Sequence, residues 1–169
     1  LAQAWPRHRA PSIDTLPSRV DSSTFAAIGA GLSALPIGVG GAALEPQFVN
    51  LTERHFLIAG GYRTGRTTAL RAIVDAIAQT GEAESLHLLA PRRSALTELS
   101  VWTDAARGAE ACSVLVAQLA AEVAELPDDE TARRFIVVDD GGELQDPQVM
   151  LALERIVRMG RDRGVRVVA

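Results

Sequence analysis

His55-Phe56-Leu57-Ile58-Ala59-Gly60-Gly61-Tyr62-Arg63-Thr64-Gly65-Arg66-Thr67-Thr68 is the stretch on which the reading of this chain turns. A short apolar run ends on Gly60, a second glycine follows at Gly65, and then come a cation and two threonines. An amphipathic pattern begins at once. Leu70, Ile73, Val74 and Ile77 fall at i, i+3, i+4 and i+7, the single apolar stripe of a helix that Gly81 closes. Strand (55–59), glycine-rich turn and helix, with this spacing, give the order of a Walker A loop, G-x-x-x-x-G-K-[ST], with Arg66 in the lysine position.

The chemistry behind that order is specific. Glycines let the backbone turn its N–H groups around a phosphate chain, and the helix N-terminus adds the positive end of its dipole. A hydroxyl at Thr67 stands where such loops reach Mg²⁺. A glycine-rich turn between a strand and a helix that binds nothing would show the same residues, so the loop by itself leaves both readings open.

A second motif narrows them. Phe135-Ile136-Val137-Val138-Asp139-Asp140 is an apolar run ending in two carboxylates, the form of a Walker B strand, whose first Asp helps to hold Mg²⁺. A buried strand ending at a polar turn looks alike. Following a phosphate-loop pattern in the same chain, however, it predicts two strand ends that share one sheet edge and one ligand.

The rest of the chain predicts strand–helix alternation. Leu35-Pro36-Ile37-Gly38-Val39 and 44–51 read as two short strands joined at Gly40-Gly41, a hairpin leading into the core strand. Leu86-His87-Leu88-Leu89-Ala90 is a buried-type strand ended by Pro91, with His87 a satisfied core or edge histidine. Residues 94–104 suit a short helix and a loop. A second helix over 109–126 carries Leu115, Leu119 and Val123 in one stripe. A third is marked by Val149, Met150, Leu153, Ile156 and Val157 and closes at Gly160, and 165–169 is a further strand. Such alternation implies an α/β fold, a mainly parallel sheet with helices on both faces. Residues 1–34 read as a linker and peripheral segment, with Trp5-Pro6-Arg7-His8-Arg9-Ala10-Pro11 as exposed linker and 22–31 as loop or short turn. Residues 35–169 form the domain. The Pro127-Asp128-Asp129-Glu130 stretch reads as a solvated acidic loop.

Composition excludes several classes. The chain has 169 residues, 47% hydrophobic and 22% charged, ordinary for one soluble globular domain. No run approaches the roughly eighteen apolar residues of a membrane span, and no secretory signal is visible. The single cysteine, Cys112, rules out an internal disulfide framework and reads as a small buried residue. A net charge of −4 argues against a strongly basic nucleic-acid surface. All 17 basic residues are arginine. A coding bias toward arginine would replace neutral lysines freely, but not a lysine on which hydrolysis depends. The start at Leu1 and the apolar end at Val167-Val168-Ala169 lead one to expect a piece of a longer protein, truncated within the fold.

With these residues in view, the chain resembles the FtsK/SpoIIIE family of RecA-like ATPases, and within it the later, degenerate ATPase modules of EccC-type proteins of type VII (ESX) secretion. Four stretches carry the resemblance: Leu35-Pro36-Ile37-Gly38, His55-Phe56-Leu57-Ile58-Ala59-Gly60, Ala90-Pro91-Arg92-Arg93-Ser94, and Gly160-Arg161-Asp162-Arg163-Gly164-Val165-Arg166-Val167-Val168. The Pro-Arg-Arg turn is similar to the DPRR segment of those later modules, and Gly65-Arg66-Thr67-Thr68 to a degenerate loop found in some of them. The resemblance spans about 14–169.

It implies a RecA-like P-loop NTPase fold preceded by an extended or β segment. It also implies ATP and Mg²⁺ as cofactors, with Gly60, Gly61, Tyr62, Arg63, Thr64, Gly65, Arg66, Thr67 and Thr68 around the phosphates. Thr67 and Asp139 would be at the metal, and Asp140 in the place of the catalytic Glu. Implied partners are other ATPase modules of one chain, a homo-oligomeric ring, and a secreted helical-hairpin substrate or its C-terminal signal. Nucleic acid is not expected. The implied location is the cytoplasmic side of the membrane, within a larger membrane-anchored protein.

Two departures qualify the activity. Arg66 places a planar fork where a slim ammonium normally reaches the β- and γ-phosphates. Asp140 is one methylene shorter than Glu, and misplacing a base by about an ångström costs on the order of 10²-fold in rate. The leading expectation is therefore a regulatory or signal-binding module with weak or absent hydrolysis. The alternatives are an FtsK-type DNA translocase motor and a nucleotide-free docking platform. Leu96, Leu99, Val101 and Trp102 are either an outer segment packed on the sheet or an apolar patch rimmed by Arg92, Arg93 and Arg107 for a partner helix.

Overall fold

The structure, a computed structural model, describes residues 15–21, 25, 31–129 and 131–169. The linker reading of 5–11, most of the loop reading of 22–31 and Glu130 lie outside these. An antiparallel hairpin, β1 (Leu35–Gly40) and β2 (Glu45–Val49), precedes the main body. There follow α1 (Arg66–Thr80), β3 (Ser85–Ala90), β4 (Asp104–Arg107), α2 (Ala109–Glu125), β5 (Arg134–Val138), α3 (Pro147–Gly160) and β6 (Val165–Val168). The four later strands form one parallel sheet in the order β4-β3-β5-β6.

The period of two along each buried strand sends side chains to opposite faces. Leu86, Leu88 and Ala90 of β3, Phe135 and Val137 of β5 and Val168 of β6 meet α1 and the hairpin side. Leu89, Ile136, Val138, Val165 and Val167 meet α2 and α3 on the other. The sheet thus carries helices on both faces, as the alternation predicted. Leu32, three residues before β1, is already part of the first core.

Burial is what holds α1. Gly65 at its N-cap offers no side-chain cap, and its first turn has no acid. All four expected stripe residues, Leu70, Ile73, Val74 and Ile77, are buried. Burying them contributes roughly 6–12 kcal/mol before the opposing conformational entropy. The helix start is thereby left free of any anion of its own.

Several local expectations change. The strand expected over 55–59 is reduced to one parallel bridge, Phe56 beside Val168. Phe56 N–H donates to Val167 O at 2.9 Å, and Ala169 N–H returns to Phe56 O at 2.9 Å. The ladder begins no earlier because Val167 N–H donates instead to His55 Nδ1 at 2.9 Å. In α2 the buried stripe is Cys112, Val116, Leu119 and Val123, with Leu115 only partly covered. In α3, Val149 and Ile156 face the core, while Met150 and Val157 are 50% and 40% exposed on the outer face. β4 begins at Asp104, where the expected helix and loop end, and the rest of it lies in a stretch for which no element was expected.

The 94–102 segment packs on the sheet, the first of its two readings. Leu96 is fully buried, Leu99, Val101 and Trp102 lean on the same core, and the Trp102 indole N–H donates to Leu96 O at 2.8 Å. Arg107 donates to Thr97 O at 2.8 Å, tying the rim down rather than framing a groove. His87 is a satisfied, largely buried histidine of the central strand β3, with Nδ1 3.1 Å from Asp104 Oδ2 on the edge strand β4. Cys112 is buried, which pushes its thiol pKa up and keeps it unreactive.

Candidate functional site: the phosphate loop and the carboxyl end of the sheet

The loop closes by a tight turn. Thr64 directs both its N–H (3.4 Å) and its Oγ1 (2.8 Å) to Gly61 O. Arg63 takes the left-handed conformation (φ 60°), and its guanidinium lies 5.2 Å from the centroid of the exposed Tyr62 ring. Gly65 enters the helix at φ 91°, a region a side chain strongly disfavours. At Gly60 the constraint is space, since a Cβ there would stand 2.5 Å from Thr64 Oγ1.

The first backbone rung of α1 is Ala69 N–H to Gly65 O at 2.9 Å. The N–H groups of Arg66, Thr67 and Thr68 precede it and have no partner within the helix. They open on a cavity of about 610 Å³ lined by Gly60, 62–68, Arg92, Asp140, Gly142 and Glu143. That volume lies within the range of small-molecule sites. Three guanidiniums face two carboxylates across it. Arg66 Nη2 is 2.9 Å from Asp140 Oδ1, and Arg92 Nη1 is 3.4 Å from Glu143 Oε1.

Behind the loop, the two motifs meet. Asp139 follows β5 and is only 3% exposed. It accepts from Thr67 Oγ1 at 3.0 Å and 3.2 Å, and from Ser94 Oγ at 2.6 Å. Ser94 in turn accepts from Leu96 N–H at 3.1 Å, which fixes its rotamer. Asp140 then turns into the left-handed region (φ 54°) and faces the loop from the other side. Eight of the nine expected loop residues, all but Gly61, therefore line one cavity with Asp140, and Asp139 stands behind it on Thr67. Sequence reasoning missed Ser94, because a serine in a turn carries no signal of a contact to a residue 45 positions on.

The residues suit a polyphosphate and a hard cation in part. The tight glycine cradle, the free first-turn N–H groups and the hydroxyl–carboxylate pair of Thr67 and Asp139 are the donor and ligand types such a group takes. Arg66 differs from a phosphate clamp, being engaged with Asp140. Among the described residues no cluster of three or more His, Cys, Asp or Glu is arranged to hold a metal alone.

No protein-family model matches the sequence, and no curated protein does. Solved structures do. The cytoplasmic domain of the type VII secretion ATPase EccC from Thermomonospora curvata matches over 98% of this chain at 24% identity and a TM-score of 0.75. ATPases 2 and 3 of the same EccC, in complex with a signal sequence peptide, match over 98% at 24% identity and 0.78. ATPases 2 and 3 of EssC from Geobacillus thermodenitrificans match over 91% at 21% identity and 0.66. The chain has the fold of the EccC and EssC ATPase modules. The RecA-like P-loop architecture expected from the sequence is the one observed, with a hairpin in front. The chain spans 22%, 34% and 32% of those three structures, well under half of the two that hold ATPases 2 and 3.

Proposed function

We propose that residues 35–169 form a degenerate nucleotide-binding module of a type VII secretion ATPase, regulatory or signal-receiving, with little or no hydrolysis. The observation that carries this is the Thr67–Asp139 contact. It joins a hydroxyl that lines the cavity to a buried carboxylate directly behind it. On this reading Gly60 to Thr68 wrap the phosphates of ATP, and Thr67 and Asp139 hold Mg²⁺. Asp140 stands in the catalytic acid's place. The Arg66–Asp140 pair supports the loss of hydrolysis, because each group that chemistry would need is occupied by the other.

The EccC structure that matches over 98% of this chain is a complex of ATPases 2 and 3 with a signal sequence peptide, which supports a secretion signal as partner here. Other ATPase modules of the same chain, arranged as a ring beneath a membrane anchor, complete the proposal. Among the described residues no helix is long and apolar enough to cross a membrane. The test is titration of the 169-residue chain with a fluorescent ATP analogue and Mg²⁺, alongside calorimetry with a cognate signal peptide. Saturable nucleotide binding that Thr67→Ala weakens supports the assignment. Absence of any nucleotide binding favours the second reading, a docking platform without nucleotide, to which the closed Arg66–Asp140 pair also points.

A further inference from the structure

Arg66 and Asp140 were two separate departures in the sequence; in space they are one object. The guanidinium of the first helical residue of α1 reaches across the cradle mouth to the carboxylate that follows the β5 motif, Nη2 to Oδ1 2.9 Å. Both side chains are partly covered, 39% and 31% exposed. Each is held there by backbone: Gly65 in the left-handed region sets where Arg66 starts, and Asp140 itself takes φ 54°. Both residues line the cavity.

We infer, on the reading of this cavity as a nucleotide site, that Asp140 acts as an internal competitor for Arg66 and sets the nucleotide affinity downward. Through its single Nη2–Oδ1 contact the carboxylate offers the guanidinium the same kind of anionic oxygen acceptor that a phosphate would. A polyphosphate entering the cradle must separate the pair and take Arg66 for itself. It then leaves Asp140 facing like charge. Asp140 on this account is not a base awaiting a water but the residue that determines how tightly the loop holds an anion. The companion pair Arg92–Glu143 lies on the same rim at 3.4 Å, with both side chains more exposed, and competes less.

The sign of this effect is opposite to that of a residue which helps to bind the ligand. Removing the charge with Asp140→Asn frees Arg66 and tightens binding of a fluorescent ATP analogue, by roughly 3- to 10-fold at low ionic strength. The gain depends on Arg66, so it vanishes when Asp140→Asn is made in an Arg66→Gln background. The measurement is a four-protein cycle of dissociation constants on the 169-residue chain: wild type, each single variant and the double, with Mg²⁺ present and folding verified by circular dichroism.

Equal affinity of wild type and Asp140→Asn would overturn the inference while leaving the nucleotide site in place. A gain that persists without Arg66 would overturn it too, as general repulsion rather than competition. Binding by Asp140→Asn alone, with none in wild type, supports it in its strongest form. No binding by any of the four proteins would remove the nucleotide reading itself, and the inference with it.

Discussion

His55 Nδ1 accepts the backbone N–H of Val167 at 2.9 Å, while Nε2 of the same ring lies 2.9 Å from Val157 O. One nitrogen must therefore be bare and the other protonated, which fixes the neutral Nε2–H form. Burial, helped by Arg166 and Arg161, holds the ring's pKa below its ordinary value of 6.5. The unfolded chain takes up the proton more readily than the folded one. The contribution of His55 is then complete above the unfolded value and is lost as pH falls through the folded one. Urea midpoints should begin to decline as pH falls to about 6.5 and continue to fall below it. In His55→Ala they should start lower and decline less over the same fall in pH. An unchanged slope in the variant would assign the decline elsewhere.

Ser94 should prove structural to the site out of proportion to its size. Its hydroxyl supplies a 2.6 Å bond to a buried carboxylate and also receives Leu96 N–H. Ser94→Ala leaves Asp139 short of one donor, a loss of about 2 kcal/mol in unfolding free energy. Chemical denaturation measures it, and a loss below about 0.5 kcal/mol, the usual limit for surface changes, would speak against the bond.

Gly164 and Gly142 make a matched pair. At Gly164, φ is 69° and an added Cβ would stand 2.5 Å from both Cβ and O of Ala132, so Gly164→Ala meets backbone as well as strain. A cost of roughly 2 kcal/mol or more is expected. Gly142 has open space around it, and Gly142→Ala should be near neutral. Thermal melts of the two variants side by side decide the point.

Turnover should be negligible. With Arg66 and Asp140 engaged on each other, phosphate release by the purified chain is expected to match that of Thr67→Ala. Robust release that disappears in that variant would show a working site.

Duplex DNA should bind weakly. The net charge is −4, and several guanidiniums, including those of Arg66, Arg134 and Arg163, are already paired with carboxylates. Fluorescence anisotropy at about 0.15 M salt should show no sub-micromolar association; finding it would revive the translocase alternative.

Where packing writes a period into the sequence, that sequence could be read. The α1 stripe is buried residue for residue, and the apolar runs of β3 and β5 are the central strands. β4 was illegible because Asp104-Ala105-Ala106-Arg107 is an edge strand held by backbone pairing to β3, with only Ala106 buried. Arg166 misleads for the converse reason. A cation within Val165-Arg166-Val167-Val168 suggests an outward face, yet it is buried, donating to the carbonyls of Thr52, Gly160, Arg161 and Val165. In the site, the residue types and their convergence were legible from spacing. The pairing of Arg66 with Asp140 was not, because side-chain reach across 74 positions leaves no local trace.

The loop is anchored at both ends and slack between them, its exit held by the buried stripe of α1. Its entry is clamped: Arg166 grips Thr52 O, the His55 ring spans β6 and α3, and Ile58 N–H donates to Ala169 O at 2.6 Å. Its middle, 60–65, is fastened chiefly to itself through Thr64 and Gly61. Any deflection imposed by a ligand is thus concentrated in a span of about six residues. It reaches the body of the protein by way of Thr67 and Asp139, which lead at once to β5 and, through Ser94, to the turn after β3. On the proposed function, filling of the cradle would be felt first at the Thr67–Asp139 contact and at the Ser94 turn beside it.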